Sequence, residues 1–173
     1  MKVNIAIPCF NEEDSIKQCI ESLQSLEGSY HISIYNDGSE DNSLQILNKY
    51  ENIRVVSSKI NFGLAEVFNS IIYDTKKESF DYLIVFDADN QYPFAEIKNL
   101  LEETINNQLD ICLGARNFKN NKVFSKFKNF IQIFGTSIIA KLTNLDISDA
   151  TTGFRCYSNK ALEDLFVLNK FSY

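Results

Sequence analysis

The chain has 173 residues, 45% hydrophobic and 23% charged, a balance that suits one globular domain around a single core. A formal net charge of −6 argues against a broad electropositive surface for nucleic acid. The longest apolar-leaning stretch, FIQIFGTSIIAKL at 130–142, is broken by Gln132, Gly135, Thr136 and Ser137 and falls short of the about 20 residues a membrane span needs.

The N-terminus, MKVNIAIPCFNEE, acquires charge too early to read as a signal peptide. VNIAIP (3–8) reads as a strand. EEDSIKQCIESLQSL (12–26) has Ile16, Cys19, Ile20, Leu23 and Leu26 at helical spacing. HISIYND (31–37) is a second strand, entered by His31, the sole histidine, which reads as structural. DNSLQILNKY (41–50) is a helix opened by Asp41, Asn42 and Ser43, all good capping types. A strand at 53–58, a helix at 63–77 and a strand at 82–87 follow. Pro93 opens a helix over 93–106, and DICLGAR (110–116) is a fifth strand. A basic, aromatic helix spans about 123–143. DATTGFRCYS (149–158) reads as a loop entering a short strand, and a last helix covers 159–168.

Alternation of apolar strands with helices implies an α/β, Rossmann-like fold: a mostly parallel central sheet flanked by helices. Ligands bind such sheets at the carboxyl ends of the strands. The chemistry-bearing residues do follow strands: Pro8 to Glu12, Asn36 to Ser39, Asp87 to Gln91, and Gly114 to Arg116. The loop PCFNEE after the first strand has no GxGxxG, and no GxxxxGK[ST] occurs anywhere. Cys9, Cys19, Cys112 and Cys156 form no CxxC pair, so they read as small core residues in a reducing cytosol rather than as zinc ligands.

Two motifs carry most of the signal. In NDGSEDNS, Asp37 at a strand tip suits the N–H groups of uracil or guanine, and Gly38 permits close approach; the plainer reading is a strand-to-helix turn with a cap at Asn42 or Ser43. In DADNQYP, Asp87 and Asp89 are separated by Ala88, and positions i and i+2 of an extended chain project to one side. Like charges held together raise each other's pKa unless a cation sits between them, and Mg²⁺ or Mn²⁺ bridging to phosphate oxygens resolves that conflict. The plainer reading is a helix N-terminus stabilised by acids.

IPCFNEE, NDGSEDNS, NFGLAEVFN, DADNQYP, GAR and DATTGFR, in this order, resemble the family 2 glycosyltransferases of the GT-A fold. DADNQYP with TTGFR is most similar to the branch that contains dolichyl-phosphate mannosyltransferase and other polyprenyl-phosphate glycosyltransferases. The resemblance implies that Pro8, Asn11 and Glu12 line a nucleoside pocket with Asp37 on the base and Gly38 beside it, and that Asn61 and Gly63 lie near the donor. Asp87, with Ala88 beside it, would face ribose or diphosphate. Asp89 would hold Mg²⁺ or Mn²⁺ with Asp87 and Gln91, while Arg116 and Arg155 would handle phosphate charge. Asp149 falls where the family has an acid near the acceptor. The arginine-rich stretch of the family before the helix near 125 is represented here by lysines, which make no bidentate phosphate contact.

The implied reaction is an inverting, metal-dependent transfer of a sugar from GDP-mannose or a UDP-hexose. A polyprenyl-phosphate acceptor arrives ionised and needs a cationic clamp, for which Arg116, Lys126, Lys128 and Arg155 are candidates. A saccharide hydroxyl, as in cell-wall or capsule synthesis, needs a general base, for which Asp149 is the candidate. A binding module without catalysis is the third reading, because residues 1–173 read as one catalytic domain truncated at its C-terminus. A phosphoacceptor signalling domain also gathers strand-end aspartates but has no use for TTGFR. The expected location is the cytoplasm, at the membrane face if the lysine- and phenylalanine-bearing helix lies in the interface; the plainer reading packs that helix on the sheet.

Overall fold

The computed structural model describes residues 1–89, 92–115, 126–144 and 147–168, with the helical backbone alone for 126–133. In chain order the elements are β1 (Val3–Cys9), α1 (Ile16–Gln24), β2 (Tyr30–Asp37), α2 (Ser43–Leu47), β3 (Arg54–Ser58) and α3 (Leu64–Lys77). They continue with β4 (Tyr82–Val85), α4 (Glu96–Asn106), β5 (Ile111–Leu113), α5 (Lys126–Thr143), β6 (Arg155–Ser158) and α6 (Asn159–Asp164). Among the described residues the strands form one sheet in the order β3-β2-β1-β4-β6-β5.

Side chains alternate across the sheet, and each face has its own helices. Ile5, Ile7, Cys9, Ile34, Ile84 and Phe86 join residues of α1, α2 and α4, while Ala6, Tyr35, Leu83, Val85 and Tyr157 join α3 and α6. Strands buried on both faces explain the near-continuous apolar runs. Ile5, Ile7, Ile34 and Ile84 are fully buried, and truncating any of them to alanine costs about 2–5 kcal/mol.

The mostly parallel sheet expected from the alternating pattern is present, with one strand reversed. β1 to β4 are mutually parallel, but β6 runs antiparallel to both β4 and β5. The residue pattern carries period, not direction: Cys156 and Tyr157 are buried on opposite faces whichever way the strand runs.

Helix ends also differ from the periodic reading, each for a local reason. α1 starts at Ile16 because a turn precedes it, in which the Ser15 and Ile16 N–H groups both donate to the Glu12 carbonyl. Pro93 opens a tight turn rather than the helix itself, since the Glu96 and Ile97 N–H groups donate three residues back to Pro93 and Phe94. α2 ends at Leu47 in the same way, with Lys49 and Tyr50 bonded to Ile46 and Leu47. α6 stops at Asp164 because Leu165 turns extended. The chain then lies along α3, where the Asn69 carboxamide both donates to the Val167 carbonyl and accepts its N–H, each at 3.0 Å.

The sheet order reverses at β1, and the register shows what that opens. β1 stays paired with β2 as far as Cys9↔Asn36, but with β4 only as far as Ala6↔Val85. Beyond that point the exits of β1 and β4 diverge, leaving a crevice at the topological switch point.

Candidate active site

The loop after β1 is laced to the loop after β2. Asn11 adopts a left-handed backbone (φ 55°), its N–H donates to Ser39 Oγ at 3.0 Å, and its Oδ1 accepts the Glu40 N–H at 2.8 Å. The Glu12 N–H donates to Ser43 Oγ at 2.8 Å, and Glu12 Oε2 accepts from Ser15 Oγ at 2.5 Å. The Glu13 N–H donates to Asp41 Oδ2, while Asn42 donates twice to Glu13 Oε2. Asp41 Oδ1 also takes the Ser43 N–H at 2.9 Å, whereas Asn42, the residue that precedes α2, makes no side-chain capping bond and Ser43 Oγ is taken by Glu12; the cap expected at Asn42 or Ser43 is replaced by this bond to Asp41. Each bond is worth about 0.5–1.5 kcal/mol net; together they make two strand-tip loops one structure.

Asp37, 5% exposed, ties in a third loop. Its Oδ1 accepts the Phe62 N–H at 2.9 Å and Ser58 Oγ at 3.3 Å, and its Oδ2 accepts the Gly63 N–H at 2.8 Å. Gly63 caps α3, so a carboxylate sits at that helix's positive end. Gly38 has φ 68°, and a Cβ there would lie 2.5 Å from the Ile60 carbonyl carbon and 2.8 Å from the Asn61 nitrogen. The close approach that this glycine permits is that of the chain's own β3–α3 loop.

β4 ends at Val85, two residues earlier than the sequence suggested, so Asp87 and Asp89 stand on the turn that follows. Ala88 between them is buried in the core beside Tyr92 and Ile97, while both aspartates border the cleft. The two aspartates thus reach the cleft border from a turn whose middle residue is buried, not from the extended strand on which their convergence was expected.

A cleft of about 300 Å³ occupies the switch point, bordered by Pro8, Glu12, Asp37, Asn61, Gly63, Asp87, Ala88 and Asp89 together with Cys9, Phe10, Leu64 and Val67. The sequence reading gave none of the last four a role at the site, although Cys9 and Phe10 fall within the strand-exit stretch Pro8 to Glu12. Phe10 is a large exposed aromatic beside Asn11, and an apolar residue left exposed within a strand-tip motif is the signal that marks it. The Cys9 thiol is pushed up to about 12 by burial first and by the Glu12 charge second, so it is no nucleophile at neutral pH. It and the other cysteines are free, with only Cys112 less than fully buried.

The remaining candidates lie apart from the cleft lining. Asp149 is 1% exposed, and its Oδ1 accepts both the N–H and the hydroxyl of Thr151 at 3.0 Å. Arg155 lies on β6 opposite Val85 and Leu113; its Nε donates to the Thr152 carbonyl at 2.8 Å, and a terminal nitrogen is 3.5 Å from Tyr157 Oη. Gln91 and Arg116, and the side chains of Lys126 and Lys128, are outside the described residues. His31 packs at 5.2 Å against the Phe80 ring, with Nδ1 3.4 Å from Asn4 Oδ1, near the start of its strand and away from the cleft.

The sequence profile of glycosyl transferase family 2 matches residues 4–166, and the chain belongs to that family. It is 29% identical over 169 residues to the undecaprenyl-phosphate 4-deoxy-4-formamido-L-arabinose transferase of Proteus mirabilis, covering 94% of this chain and 50% of that one. It is also 29% identical over 175 residues to the dolichol-phosphate mannosyltransferase of Pyrococcus furiosus, at 94% and 48%. The chain thus spans about half the length of these relatives. Among solved structures, a mannosyltransferase from Pyrobaculum calidifontis in complex with GDP-Man and Mn²⁺ superposes with a TM-score of 0.69 at 12% identity, covering 98% of this chain and 48% of that one. The glucosyl-3-phosphoglycerate synthase of Mycobacterium tuberculosis, with Mn²⁺, UDP-glucose and phosphoglyceric acid, gives 0.70 at 16% identity, covering 92% and 57%. The fold is GT-A, as the motif order implied.

Proposed function

We propose that the chain carries the catalytic machinery of an inverting, metal-dependent glycosyltransferase that moves a hexose from a nucleotide diphosphate sugar, GDP-mannose or a UDP-hexose, to polyprenyl phosphate. The observation that carries this reading is that Asp87 and Asp89 border one cleft with Pro8, Glu12 and Asp37 at the switch point of the sheet. Asp37 retains acceptor capacity on Oδ2 for a base N–H, because a carboxylate oxygen takes two bonds and only one is used there. Asn11 and Gly63 hold the loops that frame the donor, and Asn61 borders the cleft beside them.

The donor atoms fit Mg²⁺ or Mn²⁺. These hard ions take one or two carboxylates and fill the rest of the shell with water and substrate phosphates, which Asp87 and Asp89 allow, with Gln91 as the third protein group. Among the described residues no group of three or more His, Cys, Asp or Glu side chains is placed to hold a metal unaided. The bound ion would neutralise charge growing on the leaving diphosphate. Arg116 and Arg155 then serve phosphate charge.

The burial of Asp149 and its bonds to Thr151 favour an acceptor that arrives already ionised, since a general base must reach the proton it removes. The names of the relatives support a lipid phosphate. So does α5: Phe134, Ile138 and Leu142 recur every four residues and are exposed, Leu142 at 80%, a stripe suited to a membrane surface on the cytoplasmic side. No helix among the described residues is long and apolar enough to cross the bilayer.

The test is thermal stabilisation by GDP-mannose and UDP-glucose with and without Mn²⁺, beside transfer to a short polyprenyl phosphate. A donor at 100 times its Kd should add about 2.7 kcal/mol with Mn²⁺, and much less after chelation or in Asp89→Asn. Stabilisation without transfer would support a binding module; nucleotide binding indifferent to Mn²⁺ and to Asp89 would refute the reading.

A further inference from the structure

Behind Asp87 lies a chain of hydrogen bonds that joins three strand-tip loops. The Thr152 hydroxyl donates to the Gly114 carbonyl at 2.6 Å, in the segment leaving β5. The Phe154 N–H donates back to Thr152 Oγ1 at 3.1 Å. Tyr92 Oη, from the loop after β4, is 3.1 Å from Thr152 Oγ1 and accepts the Gly153 N–H at 3.0 Å. The Thr152 proton is committed to Gly114, so the Tyr92 hydroxyl must be the donor to Thr152. The order of donation is therefore unique: Gly153 N–H to Tyr92, Tyr92 to Thr152, Thr152 to Gly114. Tyr92 is 7% exposed and Thr152 fully buried, so every member is held where water does not compete.

The chain delivers one backbone atom to one carboxylate. A Cβ at Gly153 would collide with Asp87 Oδ2 and lie 3.0 Å from Oδ1. Only glycine lets the main chain sit against both oxygens. On the other side Phe86, next to Asp87, stands edge-on to Phe154 at 6.2 Å, and Phe154 packs on Tyr92 at 5.3 Å. Asp87 is thus set from its preceding residue and from its carboxylate end by the same assembly.

We propose that Tyr92 and Thr152 are positioning residues of the donor site, holding Gly153 as the wall that fixes the Asp87 carboxylate toward the metal–diphosphate position. This rests on the function proposed above. Neither residue borders the cleft; both act through Asp87. Groups that orient a metal-binding carboxylate in this way change metal affinity by about 10–100-fold when removed.

The test measures the Kd for Mn²⁺ by electron paramagnetic resonance in the presence of GDP or UDP, at a temperature where circular dichroism shows each variant folded. Tyr92→Phe and Thr152→Val should each weaken Mn²⁺ binding by about 10-fold or more, and Thr152→Ser, which keeps the hydroxyl, should restore it. In an Asp87→Asn background Tyr92→Phe should add nothing further, the non-additivity expected of residues acting through one group. If Tyr92→Phe does not fold, the Thr152 Val and Ser pair decides. Wild-type Mn²⁺ affinity in folded Tyr92→Phe and Thr152→Val, or additive losses with Asp87→Asn, would overturn the inference while leaving the function standing. Failure of the wild type to bind Mn²⁺ with either nucleotide would bring down both.

Discussion

Replacing Asp37 by asparagine separates a structural duty from a ligand-binding one. In the native site Oδ1 accepts from Phe62 N–H and Ser58 Oγ, and Oδ2 accepts from Gly63 N–H. An asparagine that keeps its oxygen at the Oδ1 position must turn its amide hydrogens toward the Gly63 N–H. One charge-assisted bond is lost and the Gly63 donor faces another donor, while the α3 N-terminus loses its negative partner. A lost bond to a charged group costs about 1.5–3 kcal/mol and the helix-end charge about 0.3–1 kcal/mol, so about 2–4 kcal/mol is expected at this buried position. In a chain of this size that lowers Tm by about 4–16 °C. Urea denaturation of wild type and Asp37→Asn without nucleotide measures it, with Asp37→Glu as a control that keeps charge but misplaces it. A variant as stable as wild type in the absence of ligand would refute the claim that Asp37 holds the β3–α3 loop, and would leave base recognition as its sole role.

Acid should weaken the fold through His31. Burial lowers its pKa from 6.5, against the raising effect of Glu78 and with the help of Arg54 and Lys2, so the folded state prefers the neutral ring. No cost arises above pH 6.5, and stability is lost as pH falls below that value toward the folded-state pKa. His31→Gln should flatten the stability profile between pH 6.5 and 5.5 in denaturant titrations, and an unchanged slope would dismiss the residue as the cause. The thiols give a second readout. Burial pushes Cys9 and Cys19 up to about 12 and Cys156 up to about 11, so in native protein at pH 8 iodoacetamide should modify Cys112 first and the other three only on unfolding, as followed by mass spectrometry. Rapid native alkylation of Cys9 would contradict its burial beside the cleft.

Much of this protein can be read from residue order. Strands buried on both faces must be apolar throughout, helices must repeat their apolar positions every three to four residues, and an α/β sheet must bind at its strand exits; VNIAIP, the 63–77 helix and DADNQYP obey these local constraints. Of the cleft residues, Pro8, Glu12, Asp37, Asp87 and Asp89 follow strands and were accessible for that reason, while Asn61 and Gly63 came only from the resemblance carried by NFGLAEVFN. What tertiary structure alone decided is direction and partnership. Period-two burial is the same for either strand polarity, so β6 could not be known to run backwards. Helix ends depend on which loop claims the free N–H groups, as Glu12 and Asn69 show. Asp37 reads as a ligand-facing acid until the 58–63 loop folds over it, and Gly153 as an ordinary loop glycine until the chain from Tyr92 through Thr152 brings it against Asp87. Those contacts join residues 25 to 61 positions apart, and a linear pattern holds no record of which distant groups will meet.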